Sequence, residues 1–211
     1  MSELTLYSYY RSSAAYRVRI ALNLKGIDFD QSIINLKKGD QHSSYYQNIN
    51  PQGLVPSLET DQGLLTQSLA MLEWLEDTYP KPTILPGTPW QKAKLRSLAY
   101  QICCDIHPLN NLRALKYLQD EFDISDNAKS KWYQYWLVTG FKALESELNE
   151  QPFCYSDQPS IADICLIPQV FNALRFNTDM SSFPKISRIY HHCNTIAEFK
   201  AAAPGNQPDA L

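Results

Sequence analysis

The sequence has few cysteines, and their spacing argues against the two common structural uses of this residue. Five occur in 211 residues, at Cys103, Cys104, Cys154, Cys165 and Cys193. An odd number without a C-x-x-C pair signals neither a disulfide framework nor a zinc site. The four histidines also lack the spacing that places two ligands on one helix face. We therefore predict reduced cysteines and no metal.

Clusters of positive charge and long apolar runs are also absent. The chain has 19 Lys and Arg residues against 22 Asp and Glu residues, and the cations are scattered. Because affinity for a phosphate backbone depends on clustered cations, nucleic acid is not an expected partner. No stretch is apolar over the ~18 residues of a membrane span, and residues 1–4 lack the basic region that opens a signal peptide. These absences predict a cytoplasmic protein that binds no membrane.

A short strand passes directly into a helix near the start of the chain. Residues 4–8 are β-prone, and the apolar positions after Ser13 suit an amphipathic helix that ends at Gly26. Ser12 or Ser13 is the natural N-cap, beside unpaired N–H groups and the positive end of the helix dipole. Such a terminus favours a bound anion, although an isolated Ser-Ser pair would indicate only a cap.

The next elements complete a β-α-β unit followed by β-β-α. We predict a strand in residues 32–36, a hairpin from residues 54–59 and 64–66, and a helix over residues 68–79 that Ser68 caps. Pro56 cannot donate a ladder hydrogen bond, so it is expected at a sheet edge or bend, where its peptide bond can be cis.

Prolines separate this region from a helical second half. Four of them lie between residues 80 and 89, which favours a stiff, extended connector. Helical periodicity then predicts helices over residues 90–104, 111–118, 128–148, 161–176 and 186–203. The predicted domains are residues 1–82 and 90–211, joined by a linker at 83–89. Asp163 is expected to act as a helix cap.

Five motifs along the chain point to one family. They are R-S-S-x-x-x-R-V-R-I-A-L, N-P-x-x-L-V-P, Q-S-L-A, P-L-x-N-L and A-D-x-C-L-x-P-Q-V, which begin at residues 11, 50, 67, 108 and 162. Together with the two-domain organisation they resemble the zeta class of cytosolic glutathione transferases, the maleylacetoacetate isomerase family. The resemblance implies a thioredoxin-like α/β N-terminal domain, an all-helical substrate-binding domain, glutathione as cofactor and a homodimer.

The resemblance also implies roles for individual residues. Val55 would pair its main chain with the cysteinyl unit of glutathione, and Pro56 would be cis. Gln67 and Ser68 would hold the glutamyl carboxylate, and Ser12 and Ser13 would face the sulfur. Further positions match family contacts with glutathione or with a ligand of the partner subunit: Gln41, His107, Asn111 and Arg113.

The chemistry of a thiol explains what the serine pair would do. A thiol with a pKa near 8.5 is only slightly ionised at neutral pH, and the thiolate is the nucleophile. Lowering that pKa by about two units takes about 2.7 kcal/mol, within the range of charge-assisted hydrogen bonds. The substrate would be a small dicarboxylate, for which Arg11 and Arg175 are the candidate ligands because a guanidinium binds both oxygens of a carboxylate. Arg17 and Arg19, in the first helix, are expected to form surface or interdomain salt bridges.

The expected function is glutathione-dependent cis–trans isomerisation of maleylacetoacetate to fumarylacetoacetate, in tyrosine and phenylalanine breakdown. Maleylpyruvate isomerisation, in gentisate breakdown, uses the same fold, cofactor and double-bond chemistry. Broader transferase work on α-haloacids and a catalytically silent interaction module are two further candidate functions. Ala14 stands where many zeta relatives carry cysteine, which argues against redox chemistry by a protein thiol.

Overall fold

The computed structural model describes residues 3–210, whose contacts divide the chain into two compact units. The first contains the chain up to Ile84 together with the segment from Asn194 onward, and the second is Leu85–Cys193. The predicted boundaries assign residues 194–210 to the helical domain, but their contacts place them with the first unit. The outermost predicted domain limits, residues 1 and 211, lie outside the described residues.

The first unit is built on a four-stranded sheet. Its strands are β1 (Thr5–Ser8), β2 (Asp30–Ile33), β3 (Ser57–Thr60) and β4 (Gly63–Thr66), in the spatial order β2-β1-β3-β4. β1 runs parallel to β2, and β3 runs antiparallel to both β1 and β4. β3 begins only after Pro56, since proline has no N–H for the ladder, and the Val55–Pro56 peptide bond is cis as predicted.

Within residues 3–84, three α-helices accompany the sheet: α1 (Ser13–Leu24), α2 (Ser44–Ile49) and α3 (Ser68–Thr78). Sequence periodicity does not predict α2, because six residues are too few to show a pattern and too few to be stable alone. Tertiary contacts stabilise it instead. Tyr46 is fully buried, and its hydroxyl donates a 2.7 Å hydrogen bond to the carbonyl of Leu54.

The second unit is helical. Its elements are α4 (Pro89–Tyr100), a π-helical turn (Gln101–Ile106), α5 (His107–Asn110), α6 (Leu112–Phe122), α7 (Asp126–Glu147), α8 (Ile161–Arg175) and α9 (Pro184–Cys193). The single helix predicted over residues 186–203 is wrong. The chain turns at Asn194 and Thr195, which are weak helix formers, and α10 (Ala197–Ala202) then packs on α1 in the first unit. None of the helices in residues 3–210 is long and apolar enough to cross a membrane.

The start of α8 is held by a buried carboxylate, as the sequence predicts. Asp163 accepts hydrogen bonds from the main-chain N–H of Ser160 (2.9 Å), the Ser160 hydroxyl (2.6 Å) and the N–H of Cys154 (2.7 Å). Burial raises the pKa of Asp163 to about 6, and the hydrogen bonds oppose that rise. This carboxylate therefore organises the helix start and the loop before it.

A glycine on α7 makes room for the π-helical turn. A Cβ atom on Gly140 would lie well inside contact distance of Cγ1 and Cδ1 of Ile106, the last residue of the turn. His107, a predicted site residue, follows immediately and begins α5. The absence of a side chain at position 140 thus lets the turn approach α7 and places the start of α5.

A partly buried ion pair anchors the chain after α3. Lys25 Nζ lies 2.8 Å from Glu76 Oε2 and also donates to the carbonyls of Tyr79 (2.7 Å) and Pro82 (3.0 Å). Glu76 in turn accepts from the N–H of Ile84. Burial by itself would raise the pKa of Glu76, but these hydrogen bonds outweigh it and hold the pKa below its ordinary value.

We expect Glu76→Gln to lower the free energy of unfolding by about 2–3 kcal/mol at pH 7, because Lys25 loses its buried counter-charge. Since the pKa of Glu76 is lowered in the fold, its contribution is present at neutral pH and is lost as the pH falls below about 4. Urea denaturation at pH 7 and in acid measures both effects. Glu147→Gln, which breaks the more exposed pair with Lys94, is the control and should cost less than about 1 kcal/mol. Equal losses in the two variants would contradict the analysis.

Gly140→Ala is expected to lower the free energy of unfolding by about 1–3 kcal/mol, since the added methyl must displace Ile106. Gly205→Ala is the matched control, because a Cβ atom there meets nothing within 4 Å. Thermal unfolding compares the two. Similar midpoints in both variants would mean that the close approach of the turn to α7 does not depend on glycine.

Candidate active site

The register of the sheet gathers the candidate residues of the first unit at one edge. Tyr7 of β1 lies opposite Ser57 of β3, and Ser57 lies opposite Thr66 of β4. The end of β1, the start of β3 and the end of β4 are therefore neighbours. The turns that carry the serine pair, the Val55–Pro56 bond and the start of α3 all extend from this edge.

Ser12 is the N-cap of α1. It has extended backbone (φ −69°, ψ 116°), and its hydroxyl oxygen accepts a 3.2 Å hydrogen bond from the N–H of Ala15. Ser13, the first helical residue, is 5% exposed. The sequence left open which of the two serines is the N-cap. The structure assigns that position to Ser12, and Ser13 lies in the first turn of α1. Arg11 is exposed, with its guanidinium 4.9 Å from the centre of the Tyr10 ring.

Hydrogen bonds of Arg19 and Asp209 hold the turn before α1. Arg19 is 1% exposed and donates to the Ser8 hydroxyl and to the carbonyls of Tyr10 and Ala202, each at 3.0 Å. Asp209, near the C-terminus, accepts a 3.0 Å hydrogen bond from the N–H of Tyr10. Burial lowers the pKa of Arg19 to about 10, with Asp209 opposing the shift, so the guanidinium remains charged at neutral pH.

The prediction that Arg17 and Arg19 form surface or interdomain salt bridges is wrong. Both are almost fully buried, and both donate to neutral oxygens of the first unit. Arg17 shares a helix face with Ala21 and Leu24, so helical spacing could have indicated its burial. No local signal marks Asp209.

The start of α3 differs from the predicted one. Gln67, not Ser68, occupies the N-cap position, with φ of 69°, and it makes no side-chain cap hydrogen bond. A positive φ is uncommon outside glycine and persists where surrounding structure enforces it, often at functional sites. Ser68 is buried, and its hydroxyl oxygen accepts a 3.2 Å hydrogen bond from Nη1 of Arg17. The first turn of α3 therefore keeps main-chain N–H groups for an anion.

Val55 and Gln41 lie close to the start of β3. Val55 packs in a cluster with aromatic residues that include Tyr46. Gly53, two residues earlier, has a positive φ, and a Cβ atom there would lie 3.0 Å from the carbonyl oxygen of Gln41. The side-chain oxygen of Gln41 is buried and has no hydrogen-bond partner among residues 3–210. A buried amide oxygen without a partner can accept a hydrogen bond from a bound ligand.

The other candidates belong to the second unit. Asn111 caps α6, where its side-chain oxygen accepts from the N–H of Ala114 at 2.9 Å. His107 begins α5, and Arg113 is exposed on α6. Arg175 is exposed at the end of α8, with its guanidinium 4.7 Å from the centre of the Phe176 ring. Asn111 therefore has a structural role as a helix cap, whereas Arg113 and Arg175 are positively charged residues at the surface of this unit.

The protein thiols are poorly suited to nucleophilic chemistry where they are buried. Burial raises the pKa of Cys154 and of Cys193, which keeps both thiols protonated. In the described part of the chain, no group of three or more His, Cys, Asp or Glu side chains is arranged to hold a metal ion.

Comparisons with known proteins agree on one family. The family model for the glutathione S-transferase N-terminal domain matches residues 6–83. A probable maleylacetoacetate isomerase of Vibrio cholerae is 42% identical, and the match covers 100% of both chains.

Two solved structures resemble the chain closely. One is the holo structure of a maleylpyruvate isomerase, a bacterial zeta-class glutathione S-transferase. It is 38% identical, with a TM-score of 0.96 over 98% of this chain and 100% of that chain. The other is maleylacetoacetate isomerase from Methylobacterium extorquens AM1 with bound malonate and glutathione. It is 38% identical, with a TM-score of 0.94 over 98% of this chain and 99% of that chain.

Proposed function

Because the chain belongs to the zeta-class glutathione transferase family, we propose that it is a glutathione-dependent cis–trans isomerase that converts maleylacetoacetate to fumarylacetoacetate. The observation that carries this proposal is the pair of helix N-termini, of α1 and α3, at one edge of the sheet. Each offers hydroxyl and main-chain N–H donors to an anion. Glutathione brings two suitable anions, its thiolate and its glutamyl carboxylate.

The residues at this edge fit the cofactor. The start of α3 has no side-chain cap, and the buried oxygen of Gln41 has no partner among the described residues. Gln67 and Ser68 would hold the glutamyl end, and Val55 beside the cis Pro56 would align the cysteinyl main chain by strand-like pairing. These contacts would bring the sulfur to Ser12 and Ser13.

The serine pair would keep the thiol ionised. When bound, glutathione supplies a thiolate that adds reversibly to the conjugated double bond, which then rotates as a single bond before the thiolate leaves. Ser12 already accepts from Ala15, so its own proton is available to donate. Charge-assisted donation of this kind stabilises a thiolate and lowers the pKa of the thiol.

The substrate is a dianion, so its site needs cations and hydrogen-bond donors. Arg11 and Arg175, both exposed, would bind the carboxylates and stabilise negative charge on the conjugated carbonyl during addition. His107, Asn111 and Arg113 would add contacts with glutathione or with a ligand of the partner subunit.

The proposal includes a homodimer that works in the cytoplasm. Large apolar side chains on α4 support an interface, since Trp90 is 71% and Tyr100 43% exposed. Free cysteines, three of them buried, are typical of a reducing compartment.

Maleylpyruvate isomerisation is the second candidate, and the 38% identity to a maleylpyruvate isomerase supports it. The deciding experiment measures kcat/KM of the purified protein on both diacids with saturating glutathione. We expect faster turnover of maleylacetoacetate and none without glutathione. Faster turnover of maleylpyruvate would assign the second function, and turnover of neither would overturn both.

Comparing stability and turnover in the Ser12→Ala and Ser13→Ala variants distinguishes the capping role of a serine from its catalytic role. Ser12→Ala should cost about 1 kcal/mol of stability because the cap is lost, whereas Ser13→Ala should lower turnover far more than stability. If the two hydroxyls supply the ~2.7 kcal/mol of a two-unit pKa shift, each variant should raise the pKa of bound glutathione. Ultraviolet titration of the thiolate measures that pKa.

The matched control is Ser125→Ala, which removes an equivalent cap from α7. It should cost similar stability without changing turnover or the pKa of bound glutathione. Unchanged activity in both Ser12→Ala and Ser13→Ala would mean that another group ionises the thiol.

A further inference from the structure

Arg17 is a buried cation with an incomplete set of partners. It is 2% exposed, and Nη1 donates to the Ser68 hydroxyl oxygen at 3.2 Å. Among residues 3–210, its Nε and Nη2 atoms have no hydrogen-bond partner, and no carboxylate forms an ion pair with it. Arg19, two residues along the same helix, has its three guanidinium nitrogens engaged with oxygens.

An unpaired buried charge is costly. Removing a guanidinium from water without a counter-charge costs several kcal/mol, and a protein recovers this only through good hydrogen bonds or an opposite charge. Within the described chain, Arg17 has one hydrogen bond, to a neutral hydroxyl. The described residues therefore supply no counter-charge for Arg17, and a bound anion could provide it.

The contact with Arg17 also sets the direction of the Ser68 hydrogen bond. A guanidinium only donates, so the Ser68 oxygen must accept, and its hydrogen remains to be donated elsewhere. Ser68 is the first residue of α3, where main-chain N–H groups are uncapped. The hydroxyl and the helix terminus are thus both donors, which is the combination that binds a carboxylate.

We propose that Arg17 is a positioning residue for the glutamyl carboxylate of glutathione. It acts through Ser68 by keeping that hydroxyl a donor, and it contributes the buried positive charge that balances the carboxylate. This inference rests on the proposed function, in which Gln67 and Ser68 hold that carboxylate.

The test compares two ligands by calorimetric titration of the protein without substrate. One is glutathione, and the other is 4-aminobutanoyl-cysteinyl-glycine, which lacks only the glutamyl carboxylate. Arg17→Met should weaken glutathione about 10-fold or more, as expected for a charged hydrogen bond, and change the affinity for the analogue less than about 2-fold. Ser68→Ala should behave alike, and the double variant should lose little more than either single variant.

Two further variants make the result decisive. Arg19→Met, on the same helix, removes structural hydrogen bonds and should lower the unfolding midpoint and the affinity for both ligands alike. Arg17→Met should leave the midpoint of the ligand-free protein unchanged or higher, because an unpaired charge is removed. If Arg17→Met does not fold, Arg17→Lys replaces it, with an intermediate affinity for glutathione and an unchanged affinity for the analogue.

Equal weakening of both ligands by the Arg17 variants would overturn the proposal and assign Arg17 a scaffold role, as would unaltered glutathione binding. Additive losses in the double variant would exclude action through Ser68. Wild-type protein that binds glutathione and the analogue equally would overturn this proposal and the carboxylate contact of Gln67 and Ser68, but not the glutathione-dependent isomerase activity. Wild-type protein that binds neither ligand would overturn the proposed function as well.

Discussion

The register of β3 between β1 and β4 is the constraint on which the candidate site depends. Because Tyr7, Ser57 and Thr66 lie side by side, the ends of three strands meet at one edge of the sheet. Two of the chain segments that leave this edge begin helices, and the third carries the cis Val55–Pro56 bond. A slip of the register by one residue would move the turns apart and would also reverse which side chains face the core.

Two buried arginines near this edge have different roles. Arg19 directs its hydrogen bonds to the turn before α1 and to α10, so it joins the C-terminal segment to the serine pair. Arg17 makes a single hydrogen bond within the described chain, to Ser68, and keeps charge available near the start of α3. All three guanidinium nitrogens of Arg19 donate to protein oxygens, whereas the charge of Arg17 is balanced only when an anion binds.

The positions of the protein's thiols agree with a nucleophile that the cofactor supplies. Ala14 leaves no cysteine beside the serine pair, and burial keeps Cys154 and Cys193 protonated. A protein that supplies donors and positive charge, but no reactive sulfur at its helix terminus, is suited to activating the thiol of a cofactor.

The amino-acid sequence by itself determined the elements that local rules govern. The existence of the four strands, the cap at Ser12 or Ser13, the cap by Asp163 and the helical second half follow from side-chain chemistry within a few residues, although β2 lies at residues 30–33 and not at the predicted 32–36. Local chemistry allowed a cis bond before Pro56, and the family resemblance implied it. The family motifs then identified the candidate residues, although their roles stay predictions. Only the tertiary structure decided that α2 forms, that α9 ends at Cys193 and that residues 194–210 join the first unit. It also decided that Arg17 and Arg19 are buried. The physical reason is that these features depend on contacts between residues far apart in the chain, such as Arg19 with Ala202 and Arg17 with Ser68. The local signals, weak helix formers at Asn194 and Thr195 and the helical spacing of Arg17, do not specify those contacts.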